Sequence, residues 1–174
     1  GMDVWAACAT SDFHGEVDYW PGQFSETWLY VPERNPKGVL LALRAGTFFA
    51  AHGHIVRQAA ISVEAKGLSR PAEAGEVIEV PAESEVTIRL QMVVPERDWA
   101  NEPNHIDEVE LIAVTSDGAR TLAKQRPPSN EPAMQTSFRV ATGGVVLRAR
   151  GRRSGENGSD LLFYTNPIRI LSTT

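Results

Sequence analysis

Polar–apolar alternation over most of the chain predicts a mainly β protein. Ala59, Ile61, Val63 and Ala65 alternate with Gln58, Ser62 and Glu64, and Val86, Ile88, Leu90, Met92 and Val94 with Thr87, Arg89 and Gln91. A two-residue period with one polar side is the pattern of antiparallel sheet packed on one face. Roughly seven such strands, separated by Gly and Pro turns, predict an immunoglobulin-like antiparallel β-sandwich. A short strand-loop-strand-helix segment precedes it.

The elements follow in order. Val4–Ala9 is a short apolar run that ends in Thr10-Ser11 and offers Asp12 and His14 two residues apart. On extended backbone such a pair points to one side. Residues 15–26 are polar and aromatic, with a Trp20-Pro21-Gly22 turn signal. Thr27–Val31 reads as a strand ended by Pro32. Asn35-Pro36 is a helix start, with a capping side chain before proline at the first helical position, and Gly46 is the stop. Val39, Leu40, Leu43 and Leu41 supply the apolar face of that helix. Thr47–Ala51 is again a strand.

Beyond residue 54 the strands expected are 59–65, 86–94, 109–115, 136–140, 145–150, 161–165 and 168–171, with Asp117-Gly118 as a hairpin turn. Residues 126–133 read as an exposed polyproline-like loop, and 151–160 as a Gly- and Ser-rich loop. The division expected is an N-terminal segment, 1–53, and a sandwich, 54–174.

Composition narrows the function classes. The 174 residues are 42% hydrophobic and 22% charged, ordinary for a globular protein. A net charge of -5 argues against a broad nucleic-acid or anionic-membrane surface. No apolar run reaches membrane-spanning length, and no signal-peptide pattern is present. Cys8, the single cysteine, rules out an intrachain disulfide and reads as a small buried hydrophobe. Gly1 before Met2 reads as an expression-tag scar.

Asp12 and His14 are donors of the kind that hold Zn, Mn or Fe, but a working site needs three or four ligands. His52-Gly53-His54 could complete it if extended backbone set both imidazoles on one face. His105 lies in a polar loop and reads as a surface residue. Ser11 lacks a nucleophile elbow, and neither a phosphate loop nor a dinucleotide fingerprint is present. Of Trp5, Trp20, Trp28 and Trp99, Trp20 and Trp99 fall in loops where an aromatic face could bind a sugar or a protein. Arg148, Arg150 and Arg152 alternate on one strand face, where they could bind an anion or pair with Glu108 and Glu110.

Thr10-Ser11-Asp12-Phe13-His14-Gly15 resembles the last metal-binding motif of the polymerase and histidinol phosphatase (PHP) family. Ala42-Leu43-Arg44-Ala45-Gly46, followed by Thr47–Gly53, is similar to the helix-glycine-strand that follows the barrel in larger PHP-type hydrolases. Val146–Gly151 and Thr165-Asn166-Pro167-Ile168 resemble the end of their C-terminal β-sandwich. The chain departs from the family at Gly46-Thr47, where Gly-Arg is usual, and at Gly53-His54, where Gly-Pro is frequent.

The resemblance implies the tail of a PHP-type hydrolase with its accessory domain, lacking most of the catalytic barrel. It also implies divalent-metal phosphoesterase chemistry for a full-length relative, with Asp12 and His14 among the ligands. Two ligands cannot fix a catalytic ion. The expected function is therefore a non-catalytic accessory domain whose partner is the missing barrel or another subunit. One alternative is a residual phosphoesterase with Asp12 and His14 completed by His52 and His54 or by another subunit. The other is a carbohydrate- or protein-binding sandwich.

Overall fold

The computed structural model describes residues 8–11, 13–16, 18, 20, 23–126, 133–155 and 159–173. In chain order these form β1 (Ser25–Leu29), α1 (Pro36–Ala45), β2 (Phe48–His52), β3 (Gln58–Ala65), β4 (Ala72–Glu73), β5 (Val77–Pro81) and β6 (Glu85–Val93). Then come β7 (Glu108–Thr115), β8 (Gly118–Gln125), β9 (Ala133–Arg139), β10 (Val145–Arg153), β11 (Leu161–Thr165) and β12 (Ile168–Thr173). The two strands expected in the N-terminal segment are present as β1 and β2, and among the described residues ten strands, β3–β12, stand where roughly seven were expected beyond residue 54. The short β4 and β5 carry too few residues for a periodic signal.

The smaller sheet runs β4-β3-β6-β9, and its alternation is the one visible in the sequence: Ala59, Ile61 and Val63 on β3 and Val86, Ile88, Leu90 and Met92 on β6 point inward. The larger sheet runs β1-β2-β11-β10-β12-β5, with β7 along the opposite edge of β10 and β8 beyond it. All pairs are antiparallel except β5 with β12, which are parallel. Ile61, Val63 and Leu90 of one sheet and Leu111, Leu147, Phe163 and Ile170 of the other belong to one buried cluster. The two sheets therefore face each other across a shared apolar layer, the sandwich arrangement.

β10 organises the larger sheet. Arg150–Arg153 pair with β11, whereas Val145–Leu147 pair with β12. Ala149 lies in the gap between the two partners, and its N–H donates to Thr165 Oγ1 at 2.9 Å. A side-chain oxygen thus takes the place of a strand carbonyl where the ladder changes hands. β10 continues to Arg153, into residues expected to be loop. Residues 127–132 of the expected polyproline-like loop lie outside the described residues.

β1 and β2 join the larger sheet through β11, so the N-terminal segment packs on the sandwich as part of it. Helix α1 begins and ends where its sequence signals fall. Gly38 N–H donates to Asn35 Oδ1 at 2.8 Å, Pro36 takes the first position, and Gly46 adopts the left-handed conformation at φ 74°. Its orientation is the reverse of expectation. The helix buries Gly38 and Ala42, while Val39, Leu40, Leu41 and Leu43 are exposed. Gly38 is held against the turn that leads into the helix, where a Cβ would collide with the Glu33 carbonyl.

Candidate functional site

Two of the candidate ligands are placed by the β1–β2 ribbon, His52 at the end of β2 and His54 two residues beyond it. Cross-strand partners share a face and neighbours along a strand alternate. Ser25 stands opposite His52, and Glu26 opposite Ala51. Ala51 and Phe49 belong to the core, so Glu26 and Trp28 face inward, while Ser25, Thr27 and His52 face outward.

His52 stacks on Phe24 with ring centroids 5.2 Å apart. Burial pushes its pKa below the ordinary imidazole value, so the ring is neutral at neutral pH, and Nδ1 is buried without a hydrogen-bond partner. With Cys8, Thr10, Ser25 and Tyr164 it lines a cavity of about 260 Å³. Cys8 is exposed, contrary to the buried hydrophobe expected, because the segment carrying it lies on the outer face of the ribbon. Two hydrogen bonds hold that segment: Ala9 N–H donates to Thr27 Oγ1 at 3.0 Å, and the Thr27 hydroxyl donates to Ala9 O at 2.8 Å.

His54 lies on the other side. Gly53 and His54 both have positive φ, 65° and 53°, so His52-Gly53-His54 is a turn and not extended backbone. A Cβ on Gly53 would fall 2.6 Å from the Leu161 side chain, so the tight turn and its packing both select glycine. The turn swings His54 Nδ1 to 3.1 Å from Glu26 Oε1 and its ring to 5.5 Å from the Trp28 ring. Arg57 Nε donates to His54 Nε2 at 3.5 Å. The two imidazoles expected to share a face are therefore divided by the ribbon.

Asp12 lies outside the described residues. His14 is exposed, and its backbone N–H donates to Asp18 Oδ2 at 2.8 Å. Among the described residues no three His, Cys, Asp or Glu side chains are grouped to hold a metal ion. The described donors do not fit the divalent ion that the resemblance implies.

Sequence reading overlooked Glu26, although its spacing from Trp28 on a strand placed both on one face. It also overlooked the acids that organise the 94–107 loop. His105, as expected, lies at the surface, 3.3 Å from Asp107. Trp5 lies outside the described residues. Trp99 packs toward Gly53 and donates its backbone N–H to Gly53 O, whereas Trp20 is 58% exposed and stacks on Phe13 with ring centroids 5.2 Å apart.

Of the β10 arginines, Arg150 meets its register partner Glu110, while Arg152 lies 4.0 Å from Glu108 and closer to Asp160. Arg150 bonds Glu110 through Nε and Nη2, and Arg152 lies 3.1 Å from Asp160. Lys124 adds a contact of 2.7 Å to Glu108. Arg148 differs, lying over the Tyr164 ring at 6.0 Å. A concavity of about 1200 Å³ lies beside Tyr30, Leu41, Ser62 and Glu73. Of the three arginines that line it, Arg70 is engaged with Glu76 and Arg89 with Glu64, and Arg34 is the third.

No family model matches the chain, and no curated protein or solved structure matches it.

Proposed function

We propose that the chain acts as a non-catalytic accessory domain of a PHP-type metal-dependent phosphoesterase, an immunoglobulin-like sandwich whose strand β1 ties down the backbone at Ala9, just ahead of the motif. The observation that supports this reading is the β1–β2 ribbon. It sends His52 outward and His54 inward to Glu26, while Thr27 clamps the backbone at Ala9, three residues before Asp12. A scaffold needs its supporting side chains tied to the fold, whereas a hydrolytic centre needs its donors converging on one point. The ribbon does the first.

Equilibrium dialysis against Zn²⁺ and Mn²⁺, with phosphomonoester and phosphodiester assays, tests the proposal. The expected result is no stoichiometric retention of either ion and no turnover that depends on Asp12. Stoichiometric metal together with turnover abolished by Asp12→Ala would establish a residual phosphoesterase instead.

A second reading draws on the exposed Phe13–Trp20 stack, an aromatic platform of the kind that binds a sugar face or a protein surface. A glycan array probed with the wild type and with Trp20→Ala tests it. Signals indifferent to the substitution would dismiss it.

A further inference from the structure

We propose that the outer face of α1 is a docking surface for a protein segment presenting apolar side chains flanked by aspartate or glutamate. The inference goes beyond the accessory-domain reading, since it does not require the partner to be a hydrolase.

Ten large hydrophobic residues are exposed among the described residues, and four of them lie on this one ten-residue helix. At about 100° per residue, Val39, Leu43 and Leu40 share one arc, and the buried Gly38 and Ala42 share another centred roughly 130° away. Their exposures are 40%, 42% and 55%, respectively. Leu41 falls outside the arc and borders the large groove. Scattered apolar residues on a surface need no explanation, but a contiguous ridge on one helix marks an interaction site.

The charges around the ridge specify what would cover it. Lys37 and Arg44 each lie one helical turn from Leu40 and Leu41, so both cations border the Leu40 edge of the apolar arc, and Arg34 stands just before the helix beside Glu33, whose carboxylate accepts from Asn35 Nδ2. None of the three cations has an ion-pair partner among the described residues, and α1 contains no acidic residue. This basic, apolar patch sits on a chain of net charge -5. The overall charge opposes approach to an extended anionic surface such as a lipid bilayer, whereas a few carboxylates at close range are attracted. A second copy docked through the same face would set Lys37 and Arg44 against their own counterparts. An acidic, apolar protein segment satisfies both the ridge and its rim.

Selection of short random peptides displayed on phage against the full chain tests the proposal, with selected peptides then measured by fluorescence anisotropy. Enriched peptides should combine Leu, Ile or Phe with Asp or Glu. Their affinity should fall at least about tenfold for Leu40→Ser/Leu43→Ser, and similarly for Lys37→Glu/Arg44→Glu. The charge-reversed variant should also lose the salt dependence of binding. All four side chains are exposed, so both variants should unfold at the wild-type midpoint. No enrichment, enrichment of basic peptides, or equal binding to both variants would overturn the proposal. So would self-association or binding to phosphatidylserine vesicles that Leu40→Ser/Leu43→Ser abolishes.

Discussion

Arg153 Nη2 lies 2.7 Å from Asp98 Oδ2, joining the last residue of β10 to the loop that follows β6. Asp98 is a hub for that loop. Its Oδ1 accepts the N–H groups of Ala100 and Glu102 at 2.9 and 3.0 Å, and its side chain is 2% exposed. Arg153 also donates to Asn104 Oδ1, and Asn104 in turn donates to the carbonyls of Ile55 and Pro95. The loop next to the His52-Gly53-His54 turn is thus held by one buried acid and one arginine.

Arg153→Met should destabilise the fold by about 3 kcal/mol, because it leaves the Asp98 carboxylate buried beside two amides but without its counter-charge. Urea unfolding at neutral pH measures this. The pH dependence has a definite sign. Burial alone would raise the Asp98 pKa, but Arg153 and the Glu102 and Ala100 amides outweigh it and hold the carboxyl below the ordinary aspartate range. The stabilisation is therefore complete above the unfolded pKa of about 4 and is lost as pH falls through the lower folded value. Asp98→Asn should be less stable at neutral pH and show a shallower loss in acid. A wild-type stability unaffected by either substitution would remove the hub role.

Thr165→Val should cost about 1–3 kcal/mol, the penalty for stranding a buried donor, here Ala149 N–H. Thr165→Ser keeps the oxygen and should recover most of the loss. Thermal unfolding of the two variants distinguishes the hydrogen bond from simple packing, since Val matches Thr in shape and Ser does not.

Gly151 faces Phe163 across β10 and β11, and a Cβ there would fall 1.9 Å from the phenyl ring. Phe163 is fully buried and cannot swing into solvent. Gly151→Ala should therefore destabilise by about 1–3 kcal/mol through overpacking. Adding Phe163→Leu should lessen the effect of Gly151→Ala, a coupling that a double-mutant cycle reads directly.

Thr27→Val removes the hydroxyl that both accepts from Ala9 N–H and donates to Ala9 O. Amide exchange at Ala9 should accelerate by about tenfold or more, while exchange in β3 and β6 stays unchanged. A protection pattern identical to wild type would show that Thr27 does not hold the motif segment in place.

Much of the fold was legible locally. Asn35, Pro36 and Gly46 mark the bounds of α1 because capping and left-handed termination involve only neighbouring residues. The alternation in 59–65 and 86–94 likewise reports a face that is buried whatever strand lies next to it. The direction of α1 was not legible. Val39, Leu40 and Leu43 have the pattern of a core-facing stripe, but Gly38 and Ala42 make the inward contact. The candidate site was less legible still. His52 and His54 have the spacing of a ligand pair on extended chain, and only the positive φ of Gly53 and His54 separates their rings. Glu26, which His54 reaches, lies 28 positions earlier and carries no local sign of that partnership.

The sequence by itself determined a β-rich chain with one capped helix, because hydrophobic period and end-capping act over a few residues. Only the tertiary structure decided that β10 would change partners at Ala149, that a ribbon would part the two histidines, and that a leucine ridge would face outward. Each of these depends on which distant strand fills the neighbouring space, and side-chain spacing along a chain does not encode that choice.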